Sequence, residues 1–145
     1  MNHAASLPAS FSVAPTAAVE ASPAVSGAPR LLLRLEALLV LAGAIVAFRS
    51  TGAHWAWFAA LFFVPDLAIL AYRLGPQRGA AVYNAVHTYV APALVAAIGA
   101  ALGAHALLAF ASAWAAHIAF DRVMGFGLKY PTAFTATHLG GSRER

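Results

Sequence analysis

The sequence predicts an all-α integral membrane protein, a bundle of four spanning helices with both termini in the cytoplasm. Three observations predict it. Of the 145 residues, 61% are apolar and only 10% charged, and mean hydropathy is +0.74; a soluble domain is nearer ~45–50% apolar and ~25% charged. The apolar residues gather into four runs, each approaching the roughly 20 residues a spanning helix needs. The basic residues gather at one set of run ends. The runs show no strict two-residue alternation, which argues against a barrel, and their Ala- and Leu-rich composition favours helices.

Residues 1–29 precede the first run. They are rich in Ala, Ser, Pro and Val, with Glu20 as the only ordinary charge. A basic leader and a continuous apolar core are both missing, so the segment is a poor signal peptide and is expected to be a disordered tail. Residues 30–124 hold the bundle. Its runs are Leu31–Phe48, His54–Tyr72, Ala80 to about Ala100, and about Ala104–Phe120. RSTGA joins the first two, RLGPQRG with Gly75-Pro76 breaks the chain before the third, and Gly99 and Gly103 mark a tight turn before the fourth. Trp55 and Trp57 stand at the start of span two, where an interfacial aromatic belt is expected. Small residues in spans three and four allow close approach of helix backbones.

With four spans, the N-terminus, the second loop and the C-terminus share one side of the membrane. That side holds Arg30, Arg34, Arg73, Arg78, Arg122, Lys129, Arg143 and Arg145, whereas the other holds only Arg49. The positive-inside rule then places both termini in the cytoplasm. The same rule accounts for the net charge of +4 without nucleic acid, and no basic stripe with interleaved aromatics argues for that partner. The expected partner is the lipid bilayer. The absence of cysteine excludes disulfides, thiolate metal sites and cysteine nucleophiles.

Ionisable residues inside apolar spans are costly and point to function. Glu36 falls in span one, Asp66 in span two, His87 in span three, and His117 with Asp121 in span four, while Tyr83 and Asn84 accompany His87. At ~1.5 Å rise per residue most of them lie roughly 8–10 Å inside the cytoplasmic boundary. Every span thus contributes to one polar layer. His117 and Asp121 are i and i+4, and Asn84 and His87 are i and i+3, so each pair shares a helix face. Pro65 and Pro92 each remove a helix hydrogen bond, freeing the carbonyls of Leu61 and Thr88, and Pro65 stands next to Asp66.

Three chemistries fit this layer. Carboxylates and imidazoles from several helices can ligate a divalent metal such as zinc, iron or manganese, with Glu36, Asp66, His87, His117 and Asp121 as candidates. The familiar HExxH and E-x-x-H spacings are absent, and Asp121 could instead orient the His117 ring. Alternatively Arg34, Arg122 and Lys129 pair with Glu36, Asp66 and Asp121 in a salt-bridged core of a structural or interaction protein. Third, a proton or ion relay in a small transporter would need a path to the other leaflet, where only His54 and His105 stand, at the interface.

Residues 125–145 mix the aromatics Phe126, Tyr130 and Phe134 with Gly125, Gly127 and Pro131. They are expected to pack on the cytoplasmic mouth of the bundle, with Arg122, Lys129, Tyr130 and His138 completing the pocket. Gly141–Arg145 reads as a frayed end.

The strings VPDLAILAYRLGPQRGAAVYNAVHTYVAPALV, HIAFDRVMGFGLKYPTAFTATHLG and LLRLEALLVL resemble a domain-of-unknown-function family of small bacterial membrane proteins. The resemblance covers about Leu31–Gly140. It implies a multi-pass fold in the bacterial inner (cell) membrane and transfers no activity. Its motif positions include Glu36, Asp66, Tyr83, Asn84, His87, Tyr89, His117, Asp121, Arg122, Lys129, Tyr130, Pro131, Thr137 and His138, overlapping the polar layer.

Overall fold

The computed structural model describes residues 24–140. Most of the predicted tail (residues 1–23) and the end at 141–145 lie outside the described residues. The elements in chain order are α1 (Gly27–Ser50), α2 (Trp55–Phe62), a 3-10 segment (Val64–Leu74), α3 (Pro76–Val86), α4 (Val90–Ala101) and α5 (His105–Met124). They form four helical stretches long and apolar enough to cross a membrane: Gly27–Ser50, Trp55–Leu74, Pro76–Ala101 and His105–Met124. The described residues form no strand; the sole β feature is an isolated antiparallel bridge, Lys129 to Thr137.

Two spans are continuous and two are broken. Span two leaves the α-helix at Phe63 and continues as 3-10 from Val64. Pro65 sits at the head of that segment, where its missing N–H is no loss. Eleven residues of 3-10 helix is long for a conformation that seldom exceeds 3–4 residues, and at ~2.0 Å per residue it stretches the span. Span three breaks at His87–Tyr89, three to five residues before Pro92. The proline denies Thr88 its partner, and the residues ahead of it unwind.

Helix α5 is the axis. Its alanines 109, 111, 113, 116 and 119 are buried, and α1, α4 and α2 all pack on it. Small side chains let those backbones come close, which is what holds helices together where lipid competes for apolar surface. Helix α3 packs instead on the 3-10 segment. Gly79 makes this possible, because a Cβ there would stand 2.5 Å from the Tyr72 ring. At the end that carries Arg49, opposite the other basic residues, Phe48 is fully buried against Ala109 and Ala113 and meets the rings of Trp55 and Phe58 at 5.4 and 5.0 Å. The outward faces carry Leu39, Val46, Leu67, Val90 and Leu102 more than 60% exposed, a surface suited to lipid rather than water.

Helix α5 ends in a tight reversal. Gly125 adopts φ 89°, Phe126 N–H donates to the Asp121 carbonyl and Gly125 N–H to that of Arg122. This Schellman closure turns the chain back over the helix ends. The following residues pack down: Leu139 is 1% exposed, and Gly127 lies so close to His138 that a Cβ would sit 2.6 Å from its ring nitrogen. Val25 N–H donates to the His138 carbonyl, so the residues before α1 are tied to the same segment.

Candidate metal centre

Four of the predicted polar residues converge below this C-terminal segment. His117 and Asp121 stand one turn apart on α5, and Asp66 comes from the first turn of the 3-10 segment. His87 occupies the break between α3 and α4. Nε2 of His87 and Nε2 of His117 are 3.2 Å apart. Asp66 Oδ1 lies 3.5 Å from His117 Nε2 and 3.9 Å from His87 Nε2. Asp121 Oδ2 lies 3.8 and 3.9 Å from the same two nitrogens. Asp66, His87 and His117 each offer a ligand atom within 4.8 Å of the others.

The imidazole of His87 is fixed by its backbone. Its Nδ1 is 3.0 Å from the Tyr83 carbonyl, and a carbonyl only accepts, so Nδ1 carries the proton. In the neutral ring the Nε2 lone pair then faces the cluster, the arrangement by which proteins prepare a histidine for metal. Tyr83 also stacks on His87 at 3.7 Å between ring centroids, and its hydroxyl donates to Asp121 Oδ2 at 3.2 Å. His117 is seated differently. The Phe62 ring meets it edge-on at 5.1 Å, and its Nδ1 is buried without a hydrogen-bond partner among the described residues. All its side-chain polar contacts therefore run through Nε2 into the cluster.

Further residues hold the ligands in place. Arg122 donates to the carbonyl of His87 at 2.9 Å and to that of Phe126 at 3.0 Å, so one guanidinium satisfies the unwound break and the C-terminal turn together. Asn84 pairs with the Lys129 backbone at two points, accepting from its N–H at 2.7 Å and donating to its carbonyl at 2.9 Å. Lys129 Nζ donates to the Phe134 carbonyl and stands 4.7 Å from the Tyr83 ring centroid and 3.5 Å from that of Phe134. Burial holds the Lys129 ammonium below its ordinary value, against the opposing pull of the Asp121 and Asp66 carboxylates. His138 Nδ1 accepts from Leu128 N–H at 2.8 Å, and burial, with the Arg122 charge, holds this imidazole below its ordinary value.

The structure does not bring every predicted residue to this point. Glu36 is exposed on α1 and borders a separate cavity of about 190 Å³ with Tyr89, Arg122 and His138. It has no place among the four converging ligand atoms. Tyr130 is held by its backbone, its N–H donating to the Ala136 carbonyl. The basic residues also differ from a salt-bridged core: Arg34 donates to the Val123 carbonyl, Arg122 and Lys129 donate to carbonyls as described, and every ion pair among the described residues joins an aspartate to a histidine. On the far side of the cluster, residues 37–48, 55–65, 88–101 and 106–116 contain no charged residue and no histidine, so the polar layer does not continue across the bundle.

Sequence reasoning missed the Tyr83 carbonyl, the Phe62 ring and the double role of Arg122. The first had a signal in the sequence, since Tyr83 is four residues before His87 and its carbonyl, which accepts the His87 backbone N–H at the helix end, has a second lone pair for the ring. Phe62 and the His87 carbonyl met by Arg122 had none, because they become neighbours only through tertiary packing.

An all-helical membrane-spanning protein with a buried His/Asp cluster is the class that fold and site define. The chain belongs to the family described as a domain of unknown function, DUF4260, which it matches over residues 30–141. No curated protein matches it, and neither does any solved structure.

Proposed function

We propose that this protein binds one divalent transition metal ion in the cytoplasmic half of a bacterial cell membrane. Asp66, His87, His117 and Asp121 are the ligands and both termini are cytoplasmic. The observation that carries this reading is the convergence of two imidazole nitrogens 3.2 Å apart with a carboxylate oxygen of Asp66 and one of Asp121, each 3.5–3.9 Å from both nitrogens. Ligands at about 2.0–2.2 Å from a tetrahedral ion stand about 3.3–3.6 Å from one another, close to the separations among Asp66, His87 and His117, and Asp121 would close in on that trio as the fourth ligand. Mixed imidazole and carboxylate donors suit zinc, iron or manganese. The orientation follows from the single-sided distribution of Arg and Lys.

The salt-bridged alternative loses support because the basic side chains go to backbone carbonyls. The transport alternative loses support because the far half of the spans is apolar. The test is elemental analysis of protein purified in detergent. One equivalent of metal is expected, and none in the His87→Ala/His117→Ala double variant. Protein that stays folded and monodisperse with no metal after incubation with zinc, iron and manganese would sink the proposal.

A further inference from the structure

The four ligands are not equally enclosed. The side chains of His87, His117 and Asp121 are 1%, 3% and 15% exposed, whereas that of Asp66 is 42% exposed. The open flank of the cluster is therefore the one carried by the 3-10 segment. In a 3-10 helix residues three apart eclipse one another, so Phe63, Asp66, Ile69 and Tyr72 form one column. Phe63 and Ile69 are 63% and 38% exposed, and Phe120, beside the cluster through its ring contact with Phe62, is 42% exposed. An aspartate thus opens beside exposed apolar side chains of a segment long and apolar enough to span a membrane.

The end of that column meets the C-terminal segment. Tyr72 packs its ring on Phe134 at 5.0 Å, and Phe134 is the residue over which Lys129 Nζ is held. One of the three ammonium N–H bonds is used by the Phe134 carbonyl, and the other two have no hydrogen-bond acceptor among the described residues beyond the faces of the Tyr83 and Phe134 rings. Two aspartates already balance the charge of a divalent ion at the cluster, so a further anionic ligand would need a cation of its own. Lys129 supplies it on the side where the column ends. A tetrahedral oxyanion has several oxygens, so one can accept from the ammonium while the group lies against the open flank of the metal site, and the exposed Phe63 and Ile69 suit an apolar tail.

We propose that the open flank takes the phosphate-type head of a membrane amphiphile, which approaches sideways past Asp66 and has its charge met by Lys129. This rests on the metal reading, and the experiment separates the two. The full chain, loaded with Mn²⁺, is placed in phosphatidylcholine nanodiscs containing a minor fraction of phosphatidic acid. Manganese content is measured on the same sample, and ³¹P relaxation is recorded against a Zn²⁺-loaded control. A parallel sample without phosphatidic acid receives inorganic phosphate.

The phosphatidic acid phosphorus is expected to relax several-fold faster than in Lys129→Gln at equal manganese content. Ile69→Glu, on the access face and away from the ligands, is expected to weaken this lipid effect and leave that of inorganic phosphate unchanged. Relaxation of inorganic phosphate alone would overturn the lateral route. Equal relaxation in wild type and Lys129→Gln, with manganese bound, would overturn the assignment of Lys129. No relaxation of either phosphorus with manganese bound would overturn the whole inference while leaving the metal reading standing. Absence of manganese would sink both.

Discussion

The unbroken helix α5 and the two broken spans deliver their polar groups in different ways. Helix α5 carries His117 and Asp121 one turn apart, and the helical period alone puts both on one face. Asp66 and His87 each come singly, and each lies where regular helix stops. An unwound residue can turn its side chain and leave its backbone carbonyl to another partner, as His87 does with Arg122. The difference teaches that a rigid helix supplies a pair of ligands in fixed relation, whereas breaks aim single ligands at that pair. The α5 contribution should then survive changes elsewhere, and the contributions from the breaks should depend on whatever holds the breaks.

Exchanging one aspartate at a time tests this most severely. Asp66→Asn removes an anionic ligand from the tighter group of three, whereas Asp121→Asn removes the fourth ligand, whose oxygen also accepts from Tyr83. Apparent binding energies of about 10–16 kcal/mol shared over four ligands give about 3 kcal/mol each, or on the order of 100-fold in affinity. Asp66→Asn is expected to lose at least that much in a competitive zinc titration, and Asp121→Asn less. An Asp121→Asn loss that exceeds the Asp66→Asn loss would break the comparison, because the helical pair would then be the dominant half of the site.

Arg122 tests the dependence on the break itself. Arg122→Met keeps an unbranched apolar stem and removes the donors that reach the carbonyls of His87 and Phe126. A buried unsatisfied acceptor costs about 1–3 kcal/mol, and the His87 carbonyl is part-buried, so the melting temperature is expected to fall. Loss of outer support for a metal ligand typically costs about 10–100-fold in affinity, and zinc affinity is expected to fall within that range. A variant with lowered melting temperature and unchanged zinc affinity would show that Arg122 braces the fold without positioning His87.

The same contrast explains what could be read from the sequence. The four spans were legible because bilayer thickness imposes a length and an apolar composition that nothing else in the chain mimics. The His117/Asp121 pair was legible from its spacing. Asp66 and His87 were legible as costly residues in apolar runs, and Pro65 and Pro92 marked the neighbourhoods of the breaks. The extent of the breaks was not legible: the eleven residues of 3-10 helix in VPDLAILAYRL pack against α3 at Gly79, a contact with no signature in local propensity. Glu36 shows the opposite failure. Its depth along α1 matched the polar layer, but depth fixes height and not azimuth, and the residue faces outward.

The smallest effect expected concerns the C-terminal segment, which neither span type anchors alone. Leu128 N–H donates to Nδ1 of His138, so the folded segment requires that nitrogen unprotonated. Burial and the nearby Arg122 charge hold this imidazole below its ordinary value, so the folded segment binds fewer protons than the open one and gains stability as pH rises. That stability is complete above the ordinary imidazole range, near ~6.5, and declines as pH falls from there towards the depressed value. The ring is only partly buried, so solvent screening keeps the effect modest. Hydrogen exchange at the Leu128 amide, corrected for the intrinsic rate, is expected to lose protection between pH 7.5 and 5.5. His138→Gln is expected to flatten that dependence, because its amide oxygen can still accept and does not titrate in this range. A His138→Gln profile as steep as wild type would move the pH response to the Asp/His cluster beneath, and the segment would then be reporting on the ligands and not on its own hydrogen bond.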